Sequence, residues 1–239
     1  MISTLQLLYK LDMKLNKKVS NEHQSIPLED KILALNEAQI KLIKKKLGSD
    51  NIYGLGVDAF KKRYMDLQDL IVQFEHLGVT PTPDAYSAYQ SDVNLTNKKF
   101  MFPLDMYTLC TKGECRNRVV YLSKLTKHGD ISTLMFNSHY KPSFEWQESF
   151  VVMSSDKIIT YTDGTFVVNG LYLSYIRYPQ KIDLAGYINF DGTPSIDQDC
   201  ELTDYLEDEL LDLAILELAL DTENYPVVQA NEIRNKTNE

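Results

Sequence analysis

The sequence predicts an α+β protein, an antiparallel helical bundle of three N-terminal helices plus the C-terminal helix, with an inserted antiparallel β unit. Three observations predict it. Apolar residues recur at helical spacing over residues 3–77 and again over 203–220, and the repeat changes to period two near Lys98. Within KIITYTDGTFVVNGLYLSYIRYP, Asp163-Gly164 and Asn169-Gly170 read as primed two-residue turns, so Lys157 to Tyr178 reads as a three-stranded meander. The domains follow as residues 1–80 with 200–221 (bundle), 98–180 (β domain), 181–199 (return loop) and 222–239 (C-terminal arm).

The elements are justified in order. Ser3 caps a first helix to about Lys17, with Leu5, Leu8, Tyr9 and Leu15 on one face. Pro27 opens the second, which runs to Leu47 with Glu29 and Asp30 in its first turn and Gly48 as its stop. Leu28, Ile32, Leu35, Leu42, Ile43 and Leu47 share its apolar face. Asn36 and Gln39 fall beside that face and read as boundary residues bonded to neighbouring backbone. A third helix is predicted from Asp58 to Leu77, with Phe60, Tyr64, Leu67, Ile71 and Phe74 inward; Gly78, Pro81 and Pro83 stop it. Strands are expected around Phe100–Met101, Tyr107–Cys110, Val119–Leu125 and Glu145–Met153, with a short helical turn at Asp130–Phe136.

The final helix, from Thr203 to Leu220, has two apolar stripes. Leu206, Leu210, Leu213 and Leu220 form one; Leu211, Ile215 and Leu218 form the other. Two readings stay open: a central core helix, or one shared with a neighbouring subunit. Charge is lopsided around it. From Asp199 to Glu223 there are ten carboxylates and no Lys or Arg, whereas Met1 to Arg63 holds twelve basic against seven acidic residues. Glu207, Asp208, Glu209 and Asp212 read as a solvated acidic face rather than a cation site. Glu217 falls inside an apolar stripe and calls for a Lys or Arg partner, in the same subunit or the next.

Composition narrows function. A formal charge of −9 and a pI near 5.0 argue against a dedicated nucleic-acid binder. No apolar run approaches the roughly 20 residues that cross a bilayer, so no membrane is expected. Cys110, Cys115 and Cys200 lack ligand spacing and read as reduced thiols. His23, His76, His128 and His139 are scattered, and no phosphate loop, dinucleotide fingerprint or nucleophile elbow occurs. Trp146 and the meander tyrosines read as strand packing, although fifteen tyrosines point to buried partner surfaces.

The segments LLYKLDMKLNK, IPLEDKILALNEAQIKLIKKKLG, RVVYLSKLTKHGDISTLM with HYKPSFEWQE, IRYPQKIDLAGY and DCELTDYLEDELLDLAILELAL run in order across nearly the whole chain. Together they resemble the head–tail connector (adaptor or neck-ring) proteins of short-tailed bacteriophages, most of all those of crAss-like phages. The resemblance implies a helical bundle with a β insertion, and a ring, commonly twelvefold, below the portal. It implies a virion location, a passage for genomic DNA without specific binding, and neither enzymatic activity nor cofactor. A tail-tube or fibre-attachment component of the same virion is the second reading, and a host-interacting or DNA-modifying enzyme the third. The expected interface pairs Asp208, Asp212 and Glu217 of one subunit with Lys41, Lys44, Lys45, Lys61 and Lys62 of the next, with Leu211, Ile215 and Leu218 carrying affinity. Tyr225, Val227, Val228, Ile233 and Arg234 are expected to anchor the C-terminal arm on the portal or an adjacent ring or tail protein.

Overall fold

The computed structural model describes residues 2–18, 26–47, 65–83, 86–121, 124–154, 156–188 and 192–221. The chain divides into two compact units, 1–70 with 179–239, and 71–178. The first holds helices α1 (Thr4–Lys18), α2 (Leu28–Leu47) and, near its end, α4 (Glu207–Asp221). The second holds nine described strands and the short α3 (Ile131–Phe136).

In the helical unit α4 lies against both α1 and α2. Leu210, Leu211, Ala214, Ile215, Leu218 and Ala219 are buried, and so are Leu7, Leu8 and Leu11 of α1 and Ile32, Leu35, Leu42 and Ile43 of α2. Of the two open readings the central core helix is the one observed. Its four large buried side chains contribute roughly 6–12 kcal/mol of transfer free energy.

The segments that open and close this unit are joined by backbone. Ile2 and Cys200 exchange N–H···O bonds, both 3.0 Å. Asp199 Oδ1 accepts from the Thr4 amide at 2.9 Å, so the first turn of α1 is capped by a carboxylate 195 positions away. Asn36 donates to the Ile32 and Ile182 carbonyls and accepts from the Ile182 amide at 2.8 Å. The expected bond to neighbouring backbone is there. The second bond is more informative, because it fixes the start of the return segment on α2. Gln39 is buried, with Cys200 Sγ 3.9 Å from its amide nitrogen.

The second unit corrects the predicted fold class. It is not a small β insertion on a helical bundle; two sheets dominate the described structure. The first contains β1 (Ile71–Leu77), β9 (Val167–Arg177), β4 (Phe100–Lys112) and β5 (Cys115–Tyr121), in the order β1-β9-β4-β5. The second contains β2 (Val79–Pro83), β3 (Ser87–Ser91), β8 (Ile158–Tyr161), β7 (Phe150–Met153) and β6 (Lys124–Leu125), in the order β2-β3-β8-β7-β6. All pairings are antiparallel except β6 with β7. Leu77, Met106, Leu171 and Leu173 of the first sheet share one core with Val151 and Ile158 of the second. On the other face of the second sheet, Ile131 and Met135 of α3 cover Ala88, Phe150, Val152 and Tyr161. Strands covered on both faces read as unbroken apolar runs, as Phe150-Val151-Val152 does.

Three expectations change here. The helix predicted over Asp58–Leu77 ends before Leu70, and Ile71–Leu77 is a strand; residues 58–64 lie outside the described residues. Leu67, Ile71 and Phe74 do fall at helical spacing, but the ladder to β9 outweighs that local pattern. Pro81 and Pro83 do not end a helix; they sit in β2, an edge strand, where a missing N–H is tolerated. The meander is not formed either. Asp163-Gly164 does turn, with Gly164 at φ +82° and the Thr165 amide bonded to Asp163 Oδ1 at 2.8 Å. It sends the chain from β8 in one sheet to β9 in the other, and Asn169-Gly170 continues inside β9. Among the described residues no helix is long and apolar enough to cross a membrane.

Replacing Asn36 by Ala removes the side chain that meets the Ile182 amide and carbonyl. We expect a loss of about 1–3 kcal/mol in urea unfolding, with faster proteolysis within 183–198. Unchanged stability and cleavage would show that Asn36 does not hold the return segment.

Candidate functional site

The carboxylates of α4 are met by lysines of the same chain. Lys10 reaches Glu207 at 2.6 Å; Lys14 reaches Asp208 at 2.9 Å and Asp212 at 3.3 Å. Lys46 bridges Glu209 at 2.8 Å and Asp66 at 3.3 Å, and Asp66 also accepts from the Tyr205 hydroxyl at 2.5 Å. Lys41 pairs with Glu217. The cation called for by Glu217 is therefore on α2 of its own chain. Leu211, Ile215 and Leu218 are core, which corrects their assignment as an intersubunit contact: reaching a neighbour would open the unit. Lys44 is exposed and Lys45 half-buried with a partner of its own. Lys61, Lys62, Tyr225, Val227, Val228, Ile233 and Arg234 lie outside the described residues.

The surface with the build of a binding site is on the first sheet. Tyr107 of β4 and Tyr172 of β9 are paired in register and their rings stack at 4.7 Å, 10° from parallel. Phe74 packs on Tyr107 at 5.8 Å, and His76 meets Tyr172 edge-on at 5.0 Å. Four rings from three adjacent strands thus form one row, with Phe74 55% exposed at one end and His76 exposed at the other. Strand alternation produces this: Met106, Thr108 and Cys110 point inward and are buried, so Tyr107 points out.

Local strain aims the end of the row. β1 bulges between Val72 and Glu75, and Phe74 sits there at φ +50°, a left-handed conformation that costs a residue with a Cβ about 1–2 kcal/mol. Its amide is held by Ser174 Oγ at 3.1 Å. Glu75, just past the bulge, accepts from Lys98 at 2.5 Å and from the Tyr175 hydroxyl at 2.8 Å. Burial works against the Glu75 charge, but the bonds from Lys98 and Tyr175 and the Lys98 charge outweigh it, and its pKa falls below the usual value. Burial, then the bond to Glu75, raise that of Tyr175. At Gly170 a Cβ would stand 2.5 Å from His76 Nε2, so glycine is what lets the imidazole lie across β9.

Sequence reasoning missed this row because Phe74 fits a helical stripe and Tyr172 fits ordinary strand packing. The usable signal was the β-branched pair Ile71-Val72 entering the stretch. The row offers flat apolar faces with hydroxyl and imidazole edges, suited to contact. Among the described residues no three His, Cys, Asp or Glu side chains are grouped to hold a metal. Cys110 and Cys200 are buried free thiols, and burial pushes Cys200 up to about 11.

Two outcomes are expected. Asp212, the partner of Lys14, has no solvent exposure, whereas Lys10, the partner of Glu207, is half exposed. Lys14→Met should therefore cost about 3 kcal/mol and Lys10→Met less than about 1 kcal/mol, read by urea unfolding; equal costs would contradict the burial argument. Because the folded-state pKa of Glu75 is depressed, its stabilisation is present above the unfolded value near 4.5 and is lost as pH falls through the folded one. Glu75→Gln should lower the melting temperature at pH 7 and leave a smaller drop between pH 5 and 3 than the wild type shows. Comparison with protein-family models and with curated proteins returned no match.

Proposed function

We propose that this chain is a structural virion protein that forms a ring, commonly twelvefold in the family it resembles, in the head–tail connector of a short-tailed bacteriophage. In this reading it sits below the portal, joins capsid to tail through the portal and the adjacent ring and tail proteins, and surrounds the path of genomic DNA. The resemblance of segments along nearly the whole chain supports it. The structural observation that carries it is the aromatic row Phe74–Tyr107–Tyr172–His76 on the first sheet. Stacked, half-exposed aromatics with polar edges are the side chains favoured where one protein surface is buried by another. A second copy of the chain is the occupant. With the carboxylates of α4 neutralised in cis, contact between copies falls to this face instead of the acidic helix. A formal charge of −9 suits a wall that lets duplex DNA pass without retaining it.

Phe74→Gly tests the reading cleanly. It removes the exposed ring and relieves the left-handed strain, so the folded protein should melt no lower than the wild type while losing self-association. The measurement is molar mass by light scattering after size exclusion, with electron microscopy of particles to locate the density along the tail axis. A wild type that stays monomeric at high concentration, together with density away from the connector, would overturn the proposal.

A further inference from the structure

The only tryptophan, Trp146, is 81% exposed, although an indole is among the costliest side chains to leave in water. The loop beneath it is built to keep it there. Ser143 and Glu148 close the loop through two backbone bonds, of 3.2 and 2.9 Å. Phe144 turns inward, 3% exposed, and packs on Phe166 in the cluster with Cys110 and Val168. Lys112 holds Glu145 at 2.5 Å, and Ser143 Oγ donates to the same carboxylate at 3.1 Å. Gln147 takes the left-handed conformation, φ +60°, that completes the return. One aromatic anchors the loop and the next but one is presented outward.

Beside Trp146 opens a cleft of about 510 Å³ whose remaining walls are mostly polar. Ser138, His139, Lys141, Ser143, Glu148 and Asp163 line it, with Pro142 as the other apolar lining residue. The volume falls within the range of small-molecule sites, roughly 300–1,000 Å³. An apolar peptide side chain would find one flat ring and a rim of hydroxyl, carboxylate, ammonium and imidazole groups that it could not satisfy. A pyranose matches both parts: its C–H face lies on an indole, and its equatorial hydroxyls donate to carboxylates and accept from ammonium or imidazole. Phe136 and Tyr140, 82% and 61% exposed on the same stretch of chain, offer further flat faces to a longer saccharide.

We propose that the Trp146 cleft is a carbohydrate-binding site, taking a short stretch of oligosaccharide with one sugar ring stacked on the indole. The site is independent of the aromatic row on the first sheet and of the ring reading.

Because Trp146 is the sole tryptophan, its fluorescence reports on the site directly. The full-length protein is applied to a printed array of neutral and acidic oligosaccharides. The strongest binder is titrated in solution by calorimetry for wild type and variants, with indole emission followed for the wild type. Saturable binding with a blue shift of the emission is expected, as is at least a tenfold loss of affinity in Trp146→Ala and most of it kept in Trp146→Tyr. Far-UV circular dichroism and melting temperature should not change, since the replaced ring is outside the core. Absence of any binder on the array, or affinity unchanged in Trp146→Ala, would overturn the proposal. A blue shift seen only in assembled particles, and never with sugars, would also overturn it by assigning Trp146 to a protein contact.

Discussion

A carboxylate taken out of water has to be met by a cation or by hydrogen-bond donors, and the helical unit is arranged around that requirement. Asp212 is fully buried in α4 beside the equally buried Leu211 and Ile215; Glu217 of the same helix and Glu201 ahead of it are almost as deep. The cations come from elsewhere in the chain: Lys10 and Lys14 from α1, Lys41 and Lys46 from α2. Apolar burial sets how tightly the three helices pack, and the charge pairs set their register, since a shift by one turn would strand Asp212. The same logic acts at the ends of the unit, where Asp199 caps α1 and Glu201 accepts from the Gln180 amide at 2.8 Å. Lopsided charge along the sequence thus becomes local neutrality in the fold.

The β unit answers a different constraint. Nine described strands leave edges, and two of the devices that blunt an edge are present. β2 carries Pro81 and Pro83, which cannot donate to an incoming strand, and β1 bulges at Phe74. The bulge also turns a large apolar ring outward, so one irregularity both disrupts a ladder and aims a contact. Glu75, Tyr175 and Lys98 then hold the bulged strand from its far side. Strain of about 1–2 kcal/mol at Phe74 is maintained only because these bonds surround it.

The two exposed aromatic features differ in the chemistry of their surroundings. Beside Phe74 lies the tilted ring of Tyr107, itself stacked on Tyr172, a surface that another flat apolar surface would match. Around Trp146 the neighbours are mostly polar groups on a pinned loop, a surface that a ligand rich in hydroxyls would match. Exposure alone does not separate them; the groups within hydrogen-bonding reach do.

By itself the sequence determined the local features: α1, α2 and α4 within a few residues, the α3 turn, strands within 100–125 and 150–153 but not the three strands that precede them, and the need of Glu217 for a cation. Each is legible because the signal is carried by neighbours in the chain, such as caps, periodicity, or a charge in an apolar stripe. Only the tertiary structure decided that Ile71–Leu77 is a strand, that Asp163-Gly164 joins two sheets instead of folding a hairpin, and that the lysines facing α4 belong to its own chain. At Ile71–Leu77 and Asn169-Gly170 local preference is ambiguous, and the choice rests on ladder bonds between residues about 100 apart, such as Val72 with Tyr175. The Phe74 row and the Trp146 cleft were hidden for the same reason. Phe74 looks like helix core and Trp146 like strand core until the bulge of one and the closed loop of the other turn them outward.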